Sequence, residues 1–510
     1  MEDVKLPDID YAALAPILIL FGAACLGVLV EAFVPRARRH MVQLGLTLLG
    51  LLVALVALVN VSGTRKLTAG GAVAIDGPTL FLQGAIVVLG IVAMLLIGER
   101  ALERGGPFVA EAAVTVGSDA DRRQASREPG ATDVFPLTMF ALAGMLLFVA
   151  ANDLLTMFVS LEVFSLPLYL LCALARRRRL LSQEAGLKYF LLGAYASAFF
   201  LFGMALIYGF AGSVNFSAIH RATQAGTGSQ GLLLGGLALL SIGLLFKAAA
   251  APFHVWTPDV YQGAPTPITG LMAACTKVAA FGALLRVLYV GFDGSAWDFT
   301  PVLGAIAILT MLVGAILAVT QTDIKRLLAY SSVANAGYLL VGVLAANKQG
   351  LSSTMFYLVA YGFSVLAAFA IVTLVRDGDG EATHLSRWAG LGRRSPLYAL
   401  VFTFVLLAFA GIPLTSGFTS KFAVFGAALD GGQAWLVIAG VVTSMILAFP
   451  YLRVVVMMWL SEPGESTPTV AIPGALTAAA VMIGVVATLA LGLAPSPLLD
   501  LTNRAAEFVR

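Results

Sequence analysis

The sequence predicts an all-α polytopic membrane protein with about fourteen transmembrane helices, and three observations carry that prediction. Hydrophobic residues make up 59% of the 510, charged residues only 12%, and the mean hydropathy is +0.93; an ordinary soluble domain carries about 25% charge. The apolar residues gather into stretches of about 20, the length a helix needs to cross the bilayer's hydrocarbon core. Basic residues are dense in alternate loops and sparse in the others, the asymmetry that orients membrane helices.

The first stretches, 11–33, 41–62 and 79–99, follow an acidic start of Glu2, Asp3, Asp8 and Asp10. Without a basic run before it, the first reads as a retained helix and not a cleaved signal. A polar segment at 105–133, holding Gly, Ser, Asp, Glu and Arg, reads as the longest inside loop and as mobile. Stretches 134–151, 153–175, 186–211, 231–250 and 266–291 follow, then 299–319, 326–346, 351–376, 396–427 and 433–460, and 471–494 closes the set. The chain thus divides into a three-helix segment (1–104), the loop (105–133), two five-helix units (134–291 and 299–460) and a C-terminal helix with its tail (471–510).

The seventh and twelfth stretches are interrupted. In the seventh, Lys247 is followed by four alanines and then Pro252, His254 and Pro258; in the twelfth, Gly411, Pro413 and Gly417 precede Lys421. Unwound backbone at membrane depth is tolerated only where protein or a hydrated cavity surrounds it. Two broken helices five apart are the pattern left by inverted repeats in transporters, here helices 4–8 and 9–13. The repeat is partly legible: proline follows the lysine in one half and precedes it in the other, and the tenth stretch has no counterpart of Glu162.

One set of loops carries Arg36, Arg38, Arg39, Arg100, Arg104, Arg122, Arg123, Arg127, Arg176 to Arg179, Lys325, Arg326, Arg376, Arg387, Arg393 and Arg394. The other carries Lys5, Arg65, Lys66, Arg221 and Lys348, with two arginines in the tail. Positive charge favours the inside, so both termini are expected outside. A net charge of +3 gives no argument for nucleic acid. Cys25, Cys172 and Cys275 lie far apart in apolar stretches, without a CxxC spacing, which speaks against iron-sulfur or zinc ligation. No glycine fingerprint follows a strand, so no nucleotide cofactor is expected in this chain.

What remains is a set of charges in the wrong solvent. Glu162, Lys247, Lys277 and Lys421 sit near the middle of apolar stretches, where a charge costs roughly 2.5–3.5 kcal/mol on insertion scales. There are eight lysines and twenty-three arginines, yet nearly all the arginines lie in loops or at segment ends. Lysine and glutamate can change protonation when desolvated, whereas arginine stays charged. Packing of a neutral acid is the bland alternative for Glu162, and snorkelling for the lysines, although mid-helix amines are far from either surface. The functional reading pairs Glu162 with Lys247, as a switch whose separation pushes both members toward neutral. Lys188, four residues after Glu184, reads either as an interfacial pair or as part of the same axis. His254, between two lysines and beside unwound backbone, reads as a relay. Asp259 and Tyr261 are expected to fix the broken segment, and Lys325 and Arg326 to anchor the inside surface.

The stretch KAAAAPFHVWTPDVYQGAPTPITGLMAACTK from Lys247 to Lys277 resembles the antiporter-like membrane subunits of respiratory complex I, the proton-translocating NADH:quinone oxidoreductase. So do SLEVFSLPLYLL around Glu162, EAGLKYFLLGAYASAF around Lys188, TDIKRLLAYSSVANAGY around Lys325 and GIPLTSGFTSKF around Lys421, in matching order over about 134–460. Two related branches of those subunits and the Mrp sodium/proton antiporters typically carry histidine where this chain has Tyr261. The resemblance implies a fourteen-helix fold of two inverted repeats. It implies that Glu162, Lys188, Lys247, His254, Lys277 and Lys421 form a polar axis for protons. It places NADH, FMN, iron-sulfur clusters and quinone in partner subunits, with neighbouring membrane-arm subunits and the bilayer as this chain's own partners. Two rivals stand beside this reading, an Mrp-type antiporter subunit and a structural scaffold of the membrane arm.

Overall fold

The computed structural model describes residues 9–103, 105–109, 114–119, 130–226, 228–378, 380–462 and 468–509. Glu2, Asp3, Lys5, Asp8, Arg104, Arg122, Arg123, Arg127 and about half of the 105–133 loop, 110–113 and 120–129, lie outside them.

The chain is a helical bundle. Before the site come α1 (Tyr11–Phe33), α2 (Arg36–Asn60), α3 (Gly77–Gly98) and α4 (Val134–Ala150). A first group of helices continues with α5 (Leu154–Cys172), α6 (Arg179–Ala211), a short surface helix α7 (Phe216–Ala225), α8 (Gln230–Ala248), α9 (Trp256–Gly263) and α10 (Thr266–Gly291). The second holds α11 (Ala296–Thr320), α12 (Ile324–Leu344), α13 (Lys348–Leu374), α14 (Pro396–Ala410), α15 (Ser416–Asp430) and α16 (Ala434–Leu460), and α17 (Ala475–Leu493) and α18 (Ser496–Ala505) close the chain. Among the described residues twelve helical runs are long and apolar enough to cross a membrane; α4 and α14 are shorter apolar helices at the fourth and twelfth predicted positions. Aspartates start several of them: Asp10, Asp76 and Asp153 accept from the backbone N–H three residues on, and Asp323 from Lys325 and Arg326, satisfying amides that a helix start leaves free.

Position in the bundle follows polarity around each helix. Every residue in the most apolar windows of α10, α12 and α13 is buried, while α1, α2, α16 and α17 bury well under half of theirs. A helix with no polar face can be enclosed on all sides, and these three form the centre. The outer helices present Leu, Val and Phe outward, among them Leu29, Val56, Phe202 and Val442, as a lipid-facing surface requires.

Five short strands were not predicted. β1 (Lys66–Thr68) and β2 (Val73–Ile75) form a hairpin; β3 (Val375–Asp377) pairs with β4 (Gly380–Glu381) and β5 (Thr469–Val470). Strands of two or three residues carry no readable alternation, and they lie in loops between helices. The two ends of the bundle carry different ion pairs. Asp10 pairs with Lys66, and Arg65 with Glu507 at 2.8 Å, so the chain's first and last described segments share one end. The arginine-rich loops meet at another cluster, where Glu103 binds Arg177 at 2.6 Å and Arg376 at 2.8 Å and Arg178 donates to Thr383 at 2.7 Å. There the predicted mobile loop begins as ordered chain: Val109 N–H donates to Leu174, Arg176 N–H donates to Pro107, and Phe108 is buried.

The tail is fastened by a buried ion pair. Arg286 on α10 and Asp76, the cap of α3, are both fully buried; Arg286 Nη2 donates to both Asp76 oxygens at 2.8 and 2.9 Å and to Thr79 Oγ1 at 2.6 Å. Val509 N–H donates to Asp76 at 3.0 Å, and the Phe508 ring centre stands 4.8 Å from the guanidinium.

Candidate functional site

The three mid-membrane lysines are buried, each held by a different local device. Lys247 occupies the last turn of α8, just before the predicted break, where Ala249 turns left-handed (φ +62°). The freed backbone is repaired by neighbours: Trp256 Nε1 donates to the Phe246 carbonyl at 3.0 Å, and Thr310 Oγ1 on α11 accepts from Ala251 N–H at 3.0 Å. Lys247 Nζ sits among the rings of Phe164, Tyr169 and Tyr189 at 4.9–5.2 Å, with the Tyr189 hydroxyl at 3.4 Å. Aromatic faces attract a cation without carrying charge.

Lys277 follows a π-helical turn, Met272–Thr276, in the enclosed helix α10. Its Nζ donates to the Ser332 carbonyl of α12 at 2.6 Å and lies 5.5 Å from the Tyr361 ring centre of α13.

Lys421 reaches back across the second break, where Gly411 (φ +85°) and Leu414 (φ +72°) end α14. It donates to the Phe409 and Ala410 carbonyls at 3.1 and 3.2 Å and to Ser444 Oγ at 2.7 Å, with the Tyr338 ring 4.8 Å away. A lysine thus completes carbonyls that the interrupted helix cannot bond, at the end where the helix dipole favours a cation. Gly411 makes this possible, because a Cβ there would stand 3.2 Å from Lys421 Cδ on a backbone that L residues avoid. Gly411→Ala is expected to cost about 1–2 kcal/mol for the left-handed residue alone and to displace the lysine. A lowered thermal midpoint of the purified protein checks it.

Tyrosines and small polar groups connect these lysines. Tyr189 stacks on Trp256 at 4.6 Å, and Trp256 meets Tyr261 edge-on at 6.3 Å. The Tyr361 ring stands over Lys277, whose Nζ binds the Ser332 carbonyl; among the described residues the buried hydroxyls of Tyr361 and Ser332 have no hydrogen-bond partner. Beyond it, Tyr361 neighbours Phe409, Phe409 neighbours Tyr451, and Tyr451 shares a short hydrogen bond with Ser331. Asn335 Nδ2 donates to the Ser331 carbonyl at 2.8 Å and Oδ1 accepts from Tyr357 at 2.6 Å. These residues run from Lys247 to Lys421 through the centre of the bundle. Sequence reasoning singled out Tyr261 alone among these tyrosines and missed the rest, which read as ordinary core; the signal was that a buried phenol needs a hydrogen-bond partner.

Other expectations need correction. Glu162 makes no contact ion pair with Lys247: it is half-buried on α5 and accepts a short hydrogen bond from Ser197 on α6, while Lys247 turns into its aromatic cage. The two remain within electrostatic reach. His254 stays at the break, its ring 6.3 Å from that of Tyr330, and it hydrogen-bonds to neither Lys247 nor Lys277; its Nδ1 is buried without a partner. Lys188 is 40% exposed and bridges Glu184 at 2.7 Å and Asp259 at 2.6 Å. Asp259 also binds Arg326 at 2.6 Å, so it ties α9 to α6 and α12, as a residue fixing the broken segment should.

Lys325 is not a surface anchor. It is buried, its Nζ donates to the Ala264 carbonyl at 2.8 Å, and it lines a 60 Å³ polar cavity with Arg178, Gln262, Glu381 and Thr383 at the arginine-rich end. Its position at a helix start beside Asp323 hid this, since burial comes from the Ala264 turn and the β3–β4 hairpin, both far off in sequence. Among the described residues no cluster of three or more His, Cys, Asp or Glu side chains could hold a metal ion.

Comparison with known proteins agrees with this geometry. Residues 151–447, which include all six candidate residues, match the family described as NADH:quinone oxidoreductase/Mrp antiporter, TM. NADH-quinone oxidoreductase subunit N of Salinispora arenicola (strain CNS-205) is 74% identical over 517 residues, covering 100% of both chains. A chain in the structure of respiratory complex I from Thermus thermophilus with bound aureothin is 34% identical, with a TM-score of 0.77 over 95% of this chain and 98% of that one. A chain of the Mrp complex from Dietzia sp. DQ12-45-1b is 25% identical, with a TM-score of 0.79 over 97% and 96%. On that identity and coverage, the chain belongs to the family of NADH-quinone oxidoreductase N subunits, the antiporter-like membrane subunits of respiratory complex I.

Proposed function

We propose that the chain translocates protons as a membrane-arm subunit of NADH:quinone oxidoreductase, with neighbouring subunits of that complex as its partners. The observation that carries the reading is the set of three buried lysines, Lys247, Lys277 and Lys421, none in contact with a carboxylate among the described residues, with tyrosines and small polar groups placed between them. An amine held by rings, carbonyls and hydroxyls can give up its proton without stranding a buried carboxylate partner.

In this reading a charge or conformational signal arrives at Glu162 and Lys247 along the membrane arm. Glu162, half-buried on the flank of α5, faces the direction from which a neighbour can act. Lys247 passes its proton toward Lys277, which hands it through the Tyr361, Ser331 and Asn335 region to Lys421 for release on the outer side. The cavity at Lys325 supplies protons from the inside, water entering to complete the path. Lys188 and His254 act at the margins of this axis, Lys188 by holding α9 through Asp259. Electrons pass from NADH to quinone through FMN and iron-sulfur clusters in partner subunits, and this chain carries no redox centre. The helices α4 and α14–α15 also cross, giving fourteen crossings in two inverted repeats. Both termini lie on the outer face of the bacterial plasma membrane.

The Mrp likeness supports a second reading, sodium/proton antiport, which Tyr261 in place of histidine opposes. Purification from native membranes separates the two. The complex I reading expects the chain to travel with flavin and iron-sulfur subunits and to show no sodium-dependent exchange when reconstituted alone; exchange by the isolated chain would move the assignment to the antiporters.

A further inference from the structure

At the end of the bundle where the termini meet, a 560 Å³ groove opens between α2, α3, α13 and the C-terminal helix α18, within the ~300–1,000 Å³ typical of ligand sites. Its walls are almost wholly apolar, with Leu55, Phe81, Val88 and Phe363 along its length. On α3 the lining runs from Gly77 to Leu89, about 18 Å at 1.5 Å per residue. That is somewhat more than half of a ~30 Å hydrocarbon core, the depth of one leaflet. Midway down, Gly84 leaves a notch: a Cβ there would meet nothing within 4 Å.

The rim has the opposite character. Arg65 and Arg504 stand at the mouth with Ser62 and Thr64. Arg65 is shared with Glu507, but Arg504 is exposed and has no hydrogen bond or ion pair with any described residue; Asp500, one turn before it on α18, does not line the groove. Amphipathic α18 lies across the ends of the spanning helices, anchored by a hydrogen bond between Ser352 and Thr502 at 2.8 Å.

We infer that this groove binds an anionic diacyl phospholipid of the leaflet at the end of the bundle where the chain's first and last described segments meet, an acyl chain along α3 and the phosphate between Arg504 and Arg65. Length and charge both select this occupant. The apolar part ends where a leaflet ends, and the free guanidinium stands at headgroup level, where phosphate is the anion that a membrane supplies and Arg is suited to bind it. A transmembrane helix from another subunit would match the apolar walls but would leave Arg504 without a counter-charge. The inference requires only that the chain spans a bilayer, so it stands apart from the proton-transfer reading.

A photo-crosslinking benzophenone side chain in place of Phe81 tests it in the assembled complex. After reconstitution into vesicles of phosphatidylglycerol or phosphatidylcholine and illumination, mass spectrometry of this chain is expected to show a phosphatidylglycerol adduct. Arg504→Gln is expected to lower that adduct about five-fold, the weight of one basic residue near an anionic surface. Gly84→Leu, which fills open space and leaves the thermal midpoint unchanged, is expected to remove most of it. Equal labelling by the two lipids, an adduct indifferent to Gly84→Leu, or crosslinks to a peptide of a neighbouring subunit would each overturn the inference.

Discussion

Lys247→Ala is expected to abolish NADH-driven proton translocation by the assembled complex while leaving the complex assembled. The ammonium is enclosed by Phe164, Tyr169 and Tyr189, so alanine leaves aromatic rings where the amine stood. A positioned acid-base group contributes about 10²–10⁴ to a proton transfer, so a loss of about a hundred-fold in this step is the expected floor. Lys247→Met, close in volume, separates packing from chemistry and is expected to fail as alanine does. Lys247→Arg keeps the charge but cannot release its proton, and is expected to fail as well. Proton uptake per NADH oxidised in intact vesicles is the measurement. Parent stoichiometry in Lys247→Ala would remove the residue from the path.

Arg286→Met is expected to produce the largest loss of stability of any single change outside the lysine axis. It leaves Asp76 fully buried without its cation, and breaking a buried pair from one side costs about 3–5 kcal/mol. The same aspartate caps α3 and holds Val509, so the loss is expected to reach the tail, seen as a lower thermal midpoint and faster trimming by carboxypeptidase. Asp76→Asn combined with Arg286→Met removes both charges and keeps an acceptor for the α3 cap. It is expected to cost less than the sum of the two single changes, because neither partner is then left charged in an apolar site. Additive losses would show that the pair is uncoupled.

Helix positions and both interruptions were legible because their causes are local. Proline after Lys247 and the Gly411 to Gly417 stretch end helices wherever they stand, and the structure breaks after Ala248 and Ala410. The presence of buried titratable groups was equally legible, since charge in an apolar stretch is visible in composition. Their directions were not. Whether Glu162 turns to Lys247 or to Ser197 depends on how α5, α6 and α8 rotate against one another, and the nearly uniform apolarity of these helices leaves that rotation unmarked. Lys325 was misread for a related reason: a cation in the first turn of a helix looks solvated until a distant hairpin covers it. Apart from Tyr261, the tyrosines between the lysines went unnoticed because each alone is ordinary core, and only their convergence on α12 and α13 gives them a common role.

Lys421 rests on peptide carbonyls at the end of α14 and not on a carboxylate. A helix end carries roughly half an elementary negative charge, so the anchorage is soft: strong enough to seat an ammonium, too weak to trap it. On the proposed path, loss of its proton leaves the amine two N–H donors for three acceptors, the Phe409 and Ala410 carbonyls and Ser444 Oγ, so one of these bonds is given up and the grip on the end of α14 loosens. On that path through Lys421, cargo and hinge would be one object, and the last step of transport would carry its own mechanical signal.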